Sequence, residues 1–116
     1  MASPASPCST SWCGGLSEAR KIAALAEAHH IPVAPHDCTG PVVFMASCHF
    51  SLHARNTLIQ ESVRAFYTGW YTELVTALPV VTSGEISLAE TPGLGLELLP
   101  GLEKRPDAIV RISKAQ

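Results

Sequence analysis

Two short apolar runs in this chain each lead into a side chain able to handle a proton. Ile31-Pro32-Val33-Ala34-Pro35 runs into His36-Asp37, and Thr57-Leu58-Ile59-Gln60 runs into Glu61. A free imidazole changes charge near neutral pH, so it can exchange a proton with a carbon or a hydroxyl. A carboxyl can do the same work if its surroundings adjust its acidity. Single titratable residues also occur on surface loops and at exposed strand ends, so the elements around them decide what they mean.

The periodicity around these residues reads helix, strand, helix, strand. Ser17 is a candidate helix N-cap, with Glu18 in the first turn where the helix dipole favours negative charge. Ile22, Leu25, Ala26 and His29 then recur at i, i+3, i+4 and i+7, one face of a helix ending near His30. Pro32 closes that helix, and a short strand follows. Asp37 to Pro41 reads as a loop, with Pro41 suited to the first position of the next helix. Val42, Met45, Ala46, His49, Phe50 and His53 mark one face of that helix, and the second strand is Thr57–Gln60. Two strands joined by a helix of this length predict parallel pairing. Catalytic groups at the C-terminal tips of parallel strands are the construction used by (β/α) barrels.

Outside this segment the signals are local. Residues 1–11 carry no charge and are rich in Ser, Pro and Ala, which predicts a flexible leader. Tyr67, Trp70, Tyr71, Leu74 and Leu78 predict a short helix or packed loop. Val80–Thr82 and Glu85–Leu88 flank Ser83-Gly84, a two-residue hairpin turn. Thr91 to Leu96 is turn-rich, its glycines lacking the spacing of a dinucleotide-binding loop. Asp107–Ile112 reads as a final short strand. The organisation expected is therefore a leader over 1–11, an α/β body over 12–78 and a tail over 79–116.

Composition narrows the classes. The 116 residues are 47% hydrophobic and 16% charged with a net charge of −2, a globular balance that gives no reason to expect nucleic acid or an anionic membrane as partner. No apolar run reaches the length of a membrane span, and the first 13 residues lack the pattern of a signal peptide, so a cytoplasmic location is expected. The cysteines, Cys8, Cys13, Cys38 and Cys48, contain no C-x-x-C pair, and reduced thiols are a plainer reading than zinc. His49 and His53 have a spacing that can bind metal, but they share their face with Val42, Met45 and Phe50, which favours packing. Cys38 lies in the loop after His36 and is given no role.

The ordered set Trp12-Cys13-Gly14-Gly15-Leu16-Ser17-Glu18-Ala19-Arg20-Lys21-Ile22, Pro35-His36-Asp37, Gln60-Glu61 and Pro92-Gly93-Leu94-Gly95 resembles the C-terminal part of the mandelate racemase branch of the enolase superfamily. Within that branch it looks most like the acid-sugar dehydratases, and the resemblance covers about residues 11–112. It implies a partial (β/α) barrel comprising the last two strands with their helices, plus a C-terminal tail with a small β-hairpin that in the family returns to a capping domain. It implies a reaction that removes the proton next to a sugar acid's carboxylate and then loses water. It implies Mg²⁺ bound by three carboxylates on the middle strands. His36 would be the histidine of the family's His–Asp dyad, acting as acid or base. Glu61 would lie across the pocket, hydrogen bonding the substrate carboxylate or the forming enediolate from a buried setting.

Against that pattern, parts are missing. No acidic residue precedes Glu18, so the dyad aspartate has no counterpart, and Ser9 or a neighbour stands near its place. The three metal carboxylates and the base of the second strand have no counterpart either, and a full barrel takes about 250 residues. The expectation is a truncated relative that binds no Mg²⁺ and is inactive alone. Its exposed barrel edges would favour self-association. The alternatives are half of a split enzyme, or a small interaction protein reusing the fragment.

Overall fold

The computed structural model describes residues 6–8 and 12–113. A strand β1 (Ser6–Cys8) precedes helix α1 (Leu16–Ala28), strand β2 (Val33–Pro35) and helix α2 (Pro41–His53). A single helical turn α3 (Arg64–Tyr67), a 3-10 turn (Trp70–Glu73), the hairpin β3 (Val80–Thr82) and β4 (Glu85–Ser87), and a last 3-10 turn (Leu102–Lys104) complete the order.

Part of the expected leader is a strand. β1 pairs with β2 in parallel, in the register Ser6 with Val33, Pro7 with Ala34 and Cys8 with Pro35. The uncharged Ser-Pro composition predicted no element there, because Pro and Ser are poor strand signals and the strand exists only by pairing with β2. The remainder of residues 1–11 lies outside the described residues.

α1 consists mostly of good helix formers, and its end is a Schellman motif. His30 adopts the left-handed conformation at φ 56°, its N–H donating to Glu27 O at 2.9 Å while Ile31 N–H donates to Ala26 O at 2.8 Å. The helix starts at Leu16 with Gly15 as cap, two residues earlier than Ser17 suggests. Its buried face is also not the expected one. Ala19 and Ala23 are buried against Val33 and Phe50, whereas Ile22 is 38% and Leu25 65% exposed. Ala19, Ala23 and Ala26 form a second stripe of helical spacing, and alanines let the helix approach β2 and α2 more closely than isoleucine and leucine would.

α2 begins at Pro41 as expected. It is wedged between two clusters, so no single face describes it. Phe50 joins the alanines of α1, while Phe44 and Cys48 pack with Tyr71 and with the partly buried Phe66, Tyr67, Leu78, Val81, Ile86 and Leu88. Phe44 stacks on Tyr67 with ring centres 5.9 Å apart and lies 6.4 Å from the Tyr71 ring. Replacing a fully buried phenylalanine by alanine in such a cluster costs about 3–5 kcal/mol.

The expected strand over Thr57–Gln60 is reduced to one parallel bridge, Val33 with Thr57. Val33 N–H donates to Asn56 O at 2.9 Å and Leu58 N–H donates to Val33 O at 2.9 Å, the alternating pattern of a parallel ladder. The next rung needs an N–H from residue 35, and proline has none. Pro35 O instead accepts from Glu61 N–H at 3.0 Å, so the segment stays alongside β2 without continuing as a regular strand.

The hairpin forms as predicted, with Val80 opposite Ser87 and Thr82 opposite Glu85. Ser83 and Gly84 both take positive φ, 52° and 84°, as the favoured two-residue turn requires. The expected strand over Asp107–Ile112 is not formed. Ile109 and Ile112 are 83% and 85% exposed, with no neighbouring strand to pair with them among the described residues. The tail is tied to the body further upstream, where Val75 bridges Leu98 and Thr76 N–H donates to Glu97 O at 2.9 Å. No helix is long and apolar enough to cross a membrane among the described residues.

Candidate functional site

The C-terminal end of β2 and the end of the segment beside it are held together by one carbonyl. Pro35 O accepts from both the Glu61 N–H and the Gln60 side-chain amide, the latter at 3.2 Å. The Gln60 amide nitrogen also donates to Glu61 O at 2.7 Å, and its Oε1 accepts from Ser51 Oγ of α2 at 2.7 Å. This network fixes the residues on either side of it. His36 Nδ1 is in hydrogen-bonding contact with Glu61 Oε2 across 25 residues of sequence.

The two side chains identified in the sequence are thus brought together in space. A proton on Nδ1 is donated to the Glu61 carboxylate, which leaves Nε2 as the basic ring nitrogen. The buried setting expected for Glu61 is not found: its side chain is 49% exposed and that of His36 is 42% exposed. Both line an open hollow of about 480 Å³ with Asp37, Ile59, Gln60, Ser62 and Val63.

Asp37 received no role from the sequence, yet it is the buried charge of this region, with no exposure at all. Tyr71 OH donates to its Oδ1 at 2.9 Å. Burial pushes the Asp37 carboxyl above its ordinary range, with the Tyr71 hydroxyl, His36 and the Val63 N–H acting in the opposite direction. Oδ2 closes no hydrogen bond of good geometry. Burial, followed by the bond to Asp37, likewise raises the Tyr71 phenol. Burial and then the Asp37 charge push the Cys48 thiol up to about 12. The one sequence signal for this cluster was Asp37 next to His36; its pairing with a residue 34 positions away is a tertiary fact.

The other candidates stand apart from this site. His49 Nε2 is 3.1 Å from Leu94 O, so that imidazole ties the tail to α2. Cys38 is exposed, Cys13 partly buried and Cys48 buried. No group of three His, Cys, Asp or Glu side chains is placed to hold a metal ion among the described residues. Asp37, the buried carboxylate, is engaged by Tyr71, and Glu61 by His36. These residues do not fit the three-carboxylate Mg²⁺ site that the resemblance implies.

Parallel strands linked by helices, with polar groups gathered at the strand C-termini, define part of an α/β barrel. Residues 8–102 match the family described as enolase C-terminal domain-like, and the chain belongs to that family. It is 39% identical over 85 residues to a D-xylonate dehydratase of Haloferax volcanii, covering 73% of this chain and 20% of that protein. It is 36% identical over 99 residues to an L-rhamnonate dehydratase of Saccharopolyspora erythraea, covering 81% of this chain and 24% of that one. The chain therefore spans about a fifth to a quarter of the length of these relatives. Among solved structures, an enolase of the mandelate racemase subgroup from Agrobacterium tumefaciens superposes with a TM-score of 0.81 at 61% identity, over 88% of this chain and 28% of the other. An enolase from Sargasso Sea environmental sequence gives a TM-score of 0.82 at 50% identity, over 95% of this chain and 29% of the other.

Proposed function

We propose that residues His36 and Glu61 are the proton-handling edge of an acid-sugar dehydratase type of site, and that the 116 residues alone do not turn over a sugar acid. The observation that carries this reading is the contact between the two side chains at the ends of adjacent parallel segments. Glu61 orients the imidazole and stabilises it when charged, and His36 takes or returns a proton at Nε2. The dehydratase relatives support a sugar acid as the substrate class. Removing a proton next to a carboxylate builds negative charge, and stabilising that charge is usually the largest part of such catalysis. His36 and Glu61 supply a base and its partner but no cation. Among the described residues no side chains are grouped to hold Mg²⁺.

A panel of xylonate, rhamnonate and galactonate with Mg²⁺, followed by appearance of the 2-keto-3-deoxy product, tests the second half. No turnover is expected, and turnover abolished by His36→Ala would contradict it. For the first half, titrating the same acids should move the NMR signals of His36 and Glu61 first. Changes confined to other parts of the chain would count against the assignment.

A second reading, that the chain completes a barrel with another chain, is favoured by Leu58 and Ile59, 66% and 58% exposed beside β2. Surfaces of this kind mark partner sites. Light scattering that finds a monomer at every concentration would remove self-association from that reading.

A further inference from the structure

His36 and Asp37 are neighbours in sequence with opposite fates: the imidazole is 42% exposed, and Asp37 is fully buried. Burying a carboxylate is costly unless it is paired or hydrogen-bonded, so its burial calls for a structural reason. The surroundings of Tyr71 supply one. The phenol donates to Asp37 Oδ1 at 2.9 Å and is approached by the Gly40 N–H, so a single buried ring engages both ends of the loop joining β2 to α2. The Val63 N–H also favours the Asp37 carboxylate, and Val63 is two residues beyond Glu61. Asp37 therefore belongs to the loop that carries His36 and lines the same hollow as Val63, in the segment that carries Glu61.

We propose that Asp37 and Tyr71 are positioning residues, their buried hydrogen bond setting the β2–α2 loop so that His36 is held against Glu61. The proposal rests on the reading of His36 and Glu61 as a working pair. The Tyr71 ring is independently anchored, with no exposure and with the rings of Phe44, Phe66 and Trp70 at 6.4, 5.7 and 4.5 Å. Its hydroxyl can thus be removed with the ring left in place.

The test is nitrogen-detected NMR of the imidazoles in the 116-residue chain. Glu61→Gln should shift the His36 Nδ1 signal and leave His29, His30, His49 and His53 unmoved. Tyr71→Phe should abolish most of that Glu61-dependent shift while contacts across the Val81–Ile86 hairpin persist. Asp37→Ala should do the same, and Asp37→Asn, which keeps an acceptor for the phenol, should restore part of it. A full Glu61-dependent shift in both Tyr71→Phe and Asp37→Ala overturns the proposal. If Tyr71→Phe loses the hairpin contacts, the Tyr71 hydroxyl proton of the unaltered chain decides, slow exchange supporting the anchor and fast exchange overturning it. A His36 signal that ignores Glu61→Gln in the unaltered background overturns the pair and this proposal together. A slowly exchanging Tyr71 proton then shows that the pair failed rather than the anchor.

Discussion

Asn56 joins three elements that position Glu61, so its removal should weaken the packing among them. Its amide nitrogen donates to Ala23 O of α1 at 3.1 Å and to Ile31 O at 3.0 Å, while its own carbonyl accepts from Val33 N–H at 2.9 Å. Asn56→Ala keeps the backbone bond and deletes both side-chain donations. Ala23 O lies inside a helix and retains the partner four residues on, so its loss costs about 1 kcal/mol. Ile31 O follows the helix end, and leaving it unmatched costs about 1–3 kcal/mol. Oδ1 is buried without a partner, and deleting it returns part of this. The net expectation is a loss of about 2 kcal/mol, or up to about thirty-fold in the ratio of folded to unfolded chain. Urea unfolding followed by tryptophan fluorescence should show a lower midpoint at unchanged slope. A loss below about 0.5 kcal/mol, the scale of an ordinary surface substitution, would show that Asn56 does not tie these elements together. It would mean that the α1–β2 corner is held by the Schellman turn and the alanine face without Asn56.

Two further outcomes follow from the buried groups near the site. Because burial raises the Asp37 carboxyl above its ordinary 3.8, the folded chain binds that proton more tightly than the unfolded one. The stability Asp37 contributes is then fully present below 3.8 and lost as pH rises through the raised folded value. Urea midpoints at pH 7 and pH 4 should show the unaltered chain gaining on Asp37→Asn as pH falls, and a constant or opposite difference would contradict the assignment. Cys48 is 3% exposed with its thiol pushed up to about 12, while Cys38 is exposed, and only a thiolate attacks an alkylating agent. Peptide mapping after iodoacetamide at pH 8 should find Cys38 labelled in the folded chain and Cys48 only in urea. Equal labelling in the folded chain would show that the aromatic cluster opens.

The legible parts of the molecule were those fixed by local chemistry. Pro41 at a helix start, Ser83-Gly84 between two β-rich runs and a helix end near His30 each depend on a few adjacent residues. The illegible parts depended on what lay opposite. Periodicity allowed two faces for α1, and only contact with Val33 and Phe50 selected the alanines over Ile22 and Leu25. The weak Ser-Pro-Cys segment became β1 because β2 offered it a partner. Asp107–Ile112 had strand composition and found none among the described residues. Pro35 could have warned that the strand beside it would lose its next rung, since the missing N–H is a property of the residue itself.

The residue types at the site, the alternation of helices and parallel segments that delivers them, and the family to which that order belongs are all written along the chain. Such features depend on covalent structure and local periodicity, which a chain carries whether or not it is folded. Folding is what brings His36 directly against Glu61, leaves Glu61 half exposed, and buries Asp37 beneath Tyr71. Those facts turn on contacts across 25 and 34 residues, and burial and electrostatic surroundings are properties of space that spacing along a chain does not encode.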